Sequence, residues 1–341
     1  MRANLVSFFV AATTALALQA PPQQIPSNEE SEPLVLDRVI PMPSVQGRID
    51  HMTVDVETGR VFSAIFGNDT VEVLDLHRAR EIAVLRGGLD EPQGVAFVPD
   101  SDRIVVSNSV GGRCAMFDGT NYTRIGAASF GDDADQLRYS ASAHRVYVGY
   151  GDGSIGMIDT RTWERLPQSF QLGAHPESFQ VDDAGHRIYV NLASKGEIAV
   201  IHLDTSHIEY WKLIDATENF PMALDIPNHR IFVGARRPAR LLVLDMDTGR
   251  QIASLPGAAD TDDMWYDATR RRIYVPSGEG FIFVYQQIDA DHYDRIAKIP
   301  SAIGARTSAY FGQVGKHNSL YLAVPARANR GAEMWVFETR D

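Results

Sequence analysis

Acidic and imidazole side chains recur at a fixed offset along this chain. A short string, Arg then an aliphatic residue, usually an aromatic, then Val, serves as the ruler. Counting back nine and ten residues from each copy gives Asp50-His51, Gln93-Gly94, Asp135-Gln136, Glu177-Ser178, Phe220-Pro221 and Asp262-Asp263. In the seventh, less regular copy a longer loop intervenes, and alignment places Arg306-Thr307 at the equivalent site. His175 stands two residues before Glu177, on the same side of an extended chain, and Asn219 directly precedes Phe220. Gathered at one point, carboxylates would repel one another and raise each other's pKa until a cation or arginine neutralised them. A divalent ion would serve: Ca or Mg on oxygen ligands, Mn or Zn where histidine joins, with Asp50, His51, Asp135, Glu177 and Asp262 as the candidate ligands. Such an ion could polarise an ester or lactone carbonyl or activate water. His51 or His175 could act as a general base. Arg306 could clamp a substrate carboxylate or phosphate. The plainer alternative is that polar residues before a strand only cap turns. For His175, followed by Pro176, a structural hydrogen bond competes with ligation. Arg138 and Gln180 stand seven residues before their anchors and extend the cluster inward, with Asp135 as a possible mate for Arg138.

The repeat sets what must position these groups. The string appears as Arg145-Val146-Tyr147-Val148, Arg187-Ile188-Tyr189-Val190, Arg230-Ile231-Phe232-Val233 and Arg272-Ile273-Tyr274-Val275, with weaker copies at Arg60 and Arg103 and a seventh at Ser319. The spacings are 43, 42, 42, 43, 42 and 47 residues, the period of a four-stranded propeller blade. Alternation with period two and richness in Val, Ile and Tyr exclude helical repeats of similar length. Apolar pairs such as Met52/Val54 and Phe179/Val181 mark an innermost strand, and the anchor string is the second. The third ends in an apolar-Asp pair, as in Leu74-Asp75 and Leu244-Asp245, where Asp can bond the next turn. A short outer strand follows. The seventh unit lacks its outer strand, and Asp37–Pro43 resembles the sixth unit's Asp294–Pro300. The N-terminal segment is therefore expected to complete the last blade and close the ring, which removes exposed sheet edges. The prediction is an all-β, single seven-bladed β-propeller over residues 34–341, with the polar groups above meeting at its central funnel.

The Tyr-Val strings, together with third-strand strings such as Gly153-Ser154-Ile155-Gly156-Met157-Ile158-Asp159, resemble the YVTN-type repeats of the YncE-like propeller family. No Trp-Asp signature of WD40 repeats follows the third strand. The resemblance implies an exported seven-bladed propeller, of a kind that includes binding scaffolds and is similar to propellers hosting lyases and lactonases. It does not choose among these.

Composition narrows the partners. The chain has 341 residues, 44% hydrophobic and 22% charged, with a formal charge of -12. This acidity speaks against nucleic acid, which demands concentrated Lys and Arg. The single cysteine, Cys114, excludes an internal disulfide and a cysteine-based zinc site. A basic start and an apolar run from Leu5 to Leu18 read as a signal peptide over 1–20, cleaved near Ala17 or Ala20, with a Pro/Gln/Ser/Glu linker over 21–33. The mature protein is expected to be periplasmic or secreted, monomeric and without a membrane span. It would bind a small molecule or peptide at the funnel. The alternatives are a metal-dependent hydrolase or lyase at the same mouth, and a protein-interaction scaffold working through the rim.

Overall fold

In a computed structural model of the chain, the described residues are Glu32–Asp341, and they form one compact unit. The expected signal peptide and nearly all of the linker lie outside them. Among the described residues, no helix is long and apolar enough to cross a membrane.

Seven antiparallel sheets follow one another in a ring. Each has the strand order the repeat predicts. In the first blade the strands are Met52–Asp55, Arg60–Ile65, Thr70–Asp75 and Arg80–Leu85. The last blade is built from Ser308–Val314, His317–Val324 and Ala332–Thr339, completed by Leu34–Met42 from the other end of the chain. Leu34 pairs with Thr339 and Met42 with Ala332, so the N-terminal segment closes the ring as expected. The innermost strand of the last blade also packs against that of the first.

Local chemistry explains the hairpins. Between the first two strands, an Asp at the strand end accepts from the turn, as when Asp182 Oδ1 takes the Gly185 amide at 2.8 Å. The residue just before the anchor Arg is left-handed at Gly59, Asp102, His144, His186, His229 and Arg271. Three of the ten histidines are thereby turn residues. After the third strand, the predicted Asp-turn bonds are present: Asp75 accepts from the Arg78 amide at 2.8 Å and Asp245 from the Thr248 amide at 3.0 Å. The core lies between adjacent sheets, where the anchor aromatics Phe62, Tyr147, Tyr189, Phe232, Tyr274 and Tyr321 are buried. Cys114 is fully buried there as well, and burial raises its thiol pKa far above the ordinary value.

Two details depart from the sequence pattern. In the third blade the outer strand is split into Glu164–Arg165 and Phe170–Gln171, with Pro167 in the gap where a ladder N–H would be needed. In the second, third and fifth blades the mouth residues lie inside the innermost strand, not before it. Those strands begin at Pro92, Ala134 and Thr217, and each carries a bulge, between Pro92/Val95, Ala134/Leu137 and Asn219/Met222. A bulge leaves residues unpaired in the ladder and turns them aside, which aims Gln93, Asp135 and Gln136 toward the axis.

Candidate functional site

The mouth residues divide by what already holds them. On the side of the sixth, seventh and first blades, arginines occupy the carboxylates. Arg306 Nε lies 2.5 Å from Asp262 Oδ2, and its Nη1 lies 2.7 Å from Asp260 Oδ1. Arg236 bonds the other Asp262 oxygen, donates to the Thr261 carbonyl at 2.8 and 3.0 Å, and stacks 3.6 Å over the Phe220 ring. Arg48 Nη2 is 2.5 Å from Asp50 Oδ2. Asp50 is buried, and burial pushes its pKa up to about 7 against the pull of His51 and Arg48.

His51 joins this sector to the next. Its Nδ1 lies 3.3 Å from Asp263 Oδ1 and its Nε2 3.5 Å from Asp50 Oδ1. Burial works against its charge, but Asp263 and Asp50 outweigh that and lift its pKa to about 10. The ring also meets Gln136, with Nε2 to Nε2 at 3.1 Å. A neutral His51 accepts that amide hydrogen; a protonated one sets two donors face to face, so the Gln136 amide must then turn. Asp263 Oδ2 also accepts the Ser308 amide at 2.7 Å, which ties the sixth blade to the seventh.

On the side of the third and fourth blades the acceptors outnumber the donors. His175 Nδ1 lies 2.7 Å from the Gly151 carbonyl, the structural bond expected of it, while Nε2 lies 3.7 Å from Asp135 Oδ2. Burial opposes the charge on His175, but Asp135 and the Gly151 carbonyl raise its pKa to about 9. Burial would likewise raise Asp135, yet the His175 contact and the His51 charge hold it below the usual carboxylate range. Asp135 Oδ1 remains buried without a hydrogen bond among the described residues. Glu177 is half-buried, and its carboxyl accepts no hydrogen bond and forms no ion pair among the described residues. Burial, then the nearby Asp135 charge, push its pKa to about 7.

Some sequence assignments change here. Arg138 does not pair with Asp135; it donates to Gln136 Oε1 at 2.7 Å and to the Leu137 carbonyl at 2.8 Å. Asn219 is fully buried, bonding Asn191 Oδ1 and the Glu197 carbonyl at 2.9 Å, so it braces the fourth and fifth blades. Gln180 spans those blades too, donating to the Met222 carbonyl at 2.8 Å. Gln93 Nε2 reaches Asp133 Oδ1 at 3.1 Å. Gly94 has a packing role: a Cβ there would strike the Asp135 carbonyl of the neighbouring strand and Ser107 Oγ. Arg48, Arg236, Asp133 and Asp260 are mouth residues that the sequence pattern overlooked. A signal existed for three of them. Arg48, Asp133 and Asp260 each stand two residues before a predicted mouth residue, as His175 does.

The metal candidates do not converge. Among the described residues, no three His, Cys, Asp or Glu side chains are grouped so as to hold a metal ion. The chemistry of the donors agrees: Asp50 and Asp262 are engaged by guanidinium groups, and a cation would have to displace these. The residues present do not fit a divalent ion.

No family model matches this sequence, and no curated protein matches it. Solved structures do. A chain of hydrazine synthase from Kuenenia stuttgartiensis is 15% identical, with a TM-score of 0.70 over 82% of this chain and 94% of that one. The WD40 repeats of RRP9 are 10% identical, with a TM-score of 0.73 over 89% and 97%. A chain of the mitotic checkpoint complex is 13% identical, with a TM-score of 0.74 over 96% and 98%. At these identities the likeness is one of fold: this chain is a seven-bladed β-propeller with WD40-like structural neighbours.

Proposed function

We propose that this protein is an exported, monomeric binding protein of the YVTN propeller type, which holds a small polar or peptide ligand at the funnel mouth. The observation that carries the reading is Glu177. A half-buried carboxyl with no partner, beside a buried unpaired oxygen of Asp135, is a costly arrangement unless something supplies donors. The group that would satisfy both is a cation or a cluster of N–H or O–H donors, such as a primary amine or a guanidinium. His51, His175 and Arg306 orient the neighbouring carboxylates in this reading. The hydrolase reading draws no support from the donor set, because arginine already neutralises its central carboxylates.

Calorimetric titration with spermidine, arginine and choline tests this. At least one should bind saturably at one site, and Glu177→Gln should weaken it about tenfold or more, the loss of a charge-assisted contact. Failure of all three to bind, or binding indifferent to Glu177→Gln, would overturn the assignment. Binding that is instead abolished by Ile303→Asp, on the exposed rim, would favour the scaffold alternative.

A further inference from the structure

The anchor arginines reveal a second place where a charge waits. Arg60 reaches forward into the next blade, bonding the Gly119 carbonyl, and Tyr122 Oη at 3.3 Å. Arg187 reaches Asp247 Oδ1 at 3.0 Å, and Arg230 reaches the Ala290 carbonyl at 2.8 Å and Asp291 Oδ1 at 2.6 Å. Arg272 bonds the Arg340 carbonyl, and Arg103 stacks 4.4 Å over Trp163. Arg145 alone among these six makes no hydrogen bond, ion pair or ring contact with the next blade among the described residues. Among the described residues its guanidinium forms no hydrogen bond; Nη1 is buried without one and makes only a long ion pair, 3.9 Å, with Asp159 Oδ2 of its own blade.

Where that contact is missing there is a cavity of about 380 Å³. It lies between the third and fourth blades, at the end opposite the mouth, because it is bordered by the turns at Ser142-Ala143 and Asp183–His186. Arg145 lines it together with Tyr147, Met157, Phe170 and Leu203. The broken outer strand of the third blade forms one wall, and Gln168 crosses to Ser206 Oγ at 3.4 Å. Asp183 also lines it, with Oδ1 taken by Ser140 Oγ at 2.5 Å, and His186 is held by Asp204 at 2.8 Å.

We propose that this inter-blade cavity binds a small organic monocarboxylate with an apolar body, its carboxylate on Arg145 and its body against Tyr147, Met157, Phe170 and Leu203. A planar guanidinium with free donors matches a carboxylate in two-point fashion. A cavity of this size with an apolar wall and a few polar groups, one of them a cation without a hydrogen bond, is the usual form of a small-molecule site. The Asp183 carboxylate in the wall selects against a second negative charge.

Phenylacetate and octanoate are the probes, titrated into the full chain by calorimetry and ligand-observed NMR. At least one should bind saturably at one site per chain. Arg145→Gln should weaken it about tenfold or more, and phenylacetamide should bind similarly more weakly than phenylacetate. Leu203→Trp, which fills the cavity while leaving the charge, should also abolish binding. No saturable binding of either acid up to about 10 mM, a limit weaker than any specific small-molecule affinity of use, would overturn the proposal. So would binding that survives Arg145→Gln.

Discussion

The two sides of the funnel mouth carry the same residue types and treat them differently. Around the sixth, seventh and first blades, Arg48, Arg236 and Arg306 reach Asp50, Asp260 and Asp262 and leave little charge unanswered. Around the third and fourth blades, one histidine faces Asp133 and Asp135 at 3.6 and 3.7 Å, and the Glu177 carboxyl has no hydrogen bond or ion pair among the described residues. The difference teaches that carboxylate density alone does not define a site. What matters is which carboxylates still lack donors once the fold has formed.

Four measurements would break or sharpen that contrast. The largest effect is expected at Arg236. Replacing it by Ala removes a partner of Asp262, two bonds to Thr261 and the stack on Phe220, and should cost about 3 kcal/mol in urea unfolding at pH 7. A loss no larger than that of Asp133→Asn would erase the distinction between the two sides.

His175 comes next. Its pKa is raised in the folded protein to about 9, so its contribution is fully present below about pH 6.5 and is lost as pH rises through 9. His175→Gln should flatten the stability curve across that window by about 1–2 kcal/mol, after allowance for solvent screening. An unchanged slope would show that the Asp135 contact is not felt.

Glu177 has the opposite sense. A folded pKa of about 7 means that the ionised form is disfavoured in the native state, so stability declines as pH rises from about 4.5 to 7. Glu177→Gln should remove that decline and, at pH 8, leave the protein about 1 kcal/mol more stable than the wild type. Destabilisation instead would mean that Glu177 has a structural partner. The smallest effect is expected at Asp133, whose side chain is 41% exposed. Asp133→Asn should change the free energy of unfolding by no more than about 0.5 kcal/mol.

Much of this was written in the chain. Blade number, strand order and the closing segment followed from the anchor spacing, because every blade repeats one hairpin geometry. The mouth was legible as a set of offsets, since strand periodicity puts equivalent residues on equivalent sites. What the offsets could not show was pairing. Arg236 belongs to the end of a second strand, and it meets Asp262 only through the angle between blades. Asn219 looked like a mouth residue, but it stays paired with Ala235 just before the bulge and lies in the wall, where it bonds Asn191. The idle state of Arg145 was hidden for a related reason: its string matches its neighbours, and the difference lies in the blade beside it.

The join between Leu34–Met42 and Ala332–Thr339 also has a temporal meaning. The annulus cannot be sealed until Ala332–Thr339 has been synthesised, so until then a nascent chain carries a half-made sheet with a bare edge. Its two partners are separated by six complete blades, a contact made late and at high entropic cost. Loss of either strip should therefore hurt assembly more than the same number of residues removed from any turn.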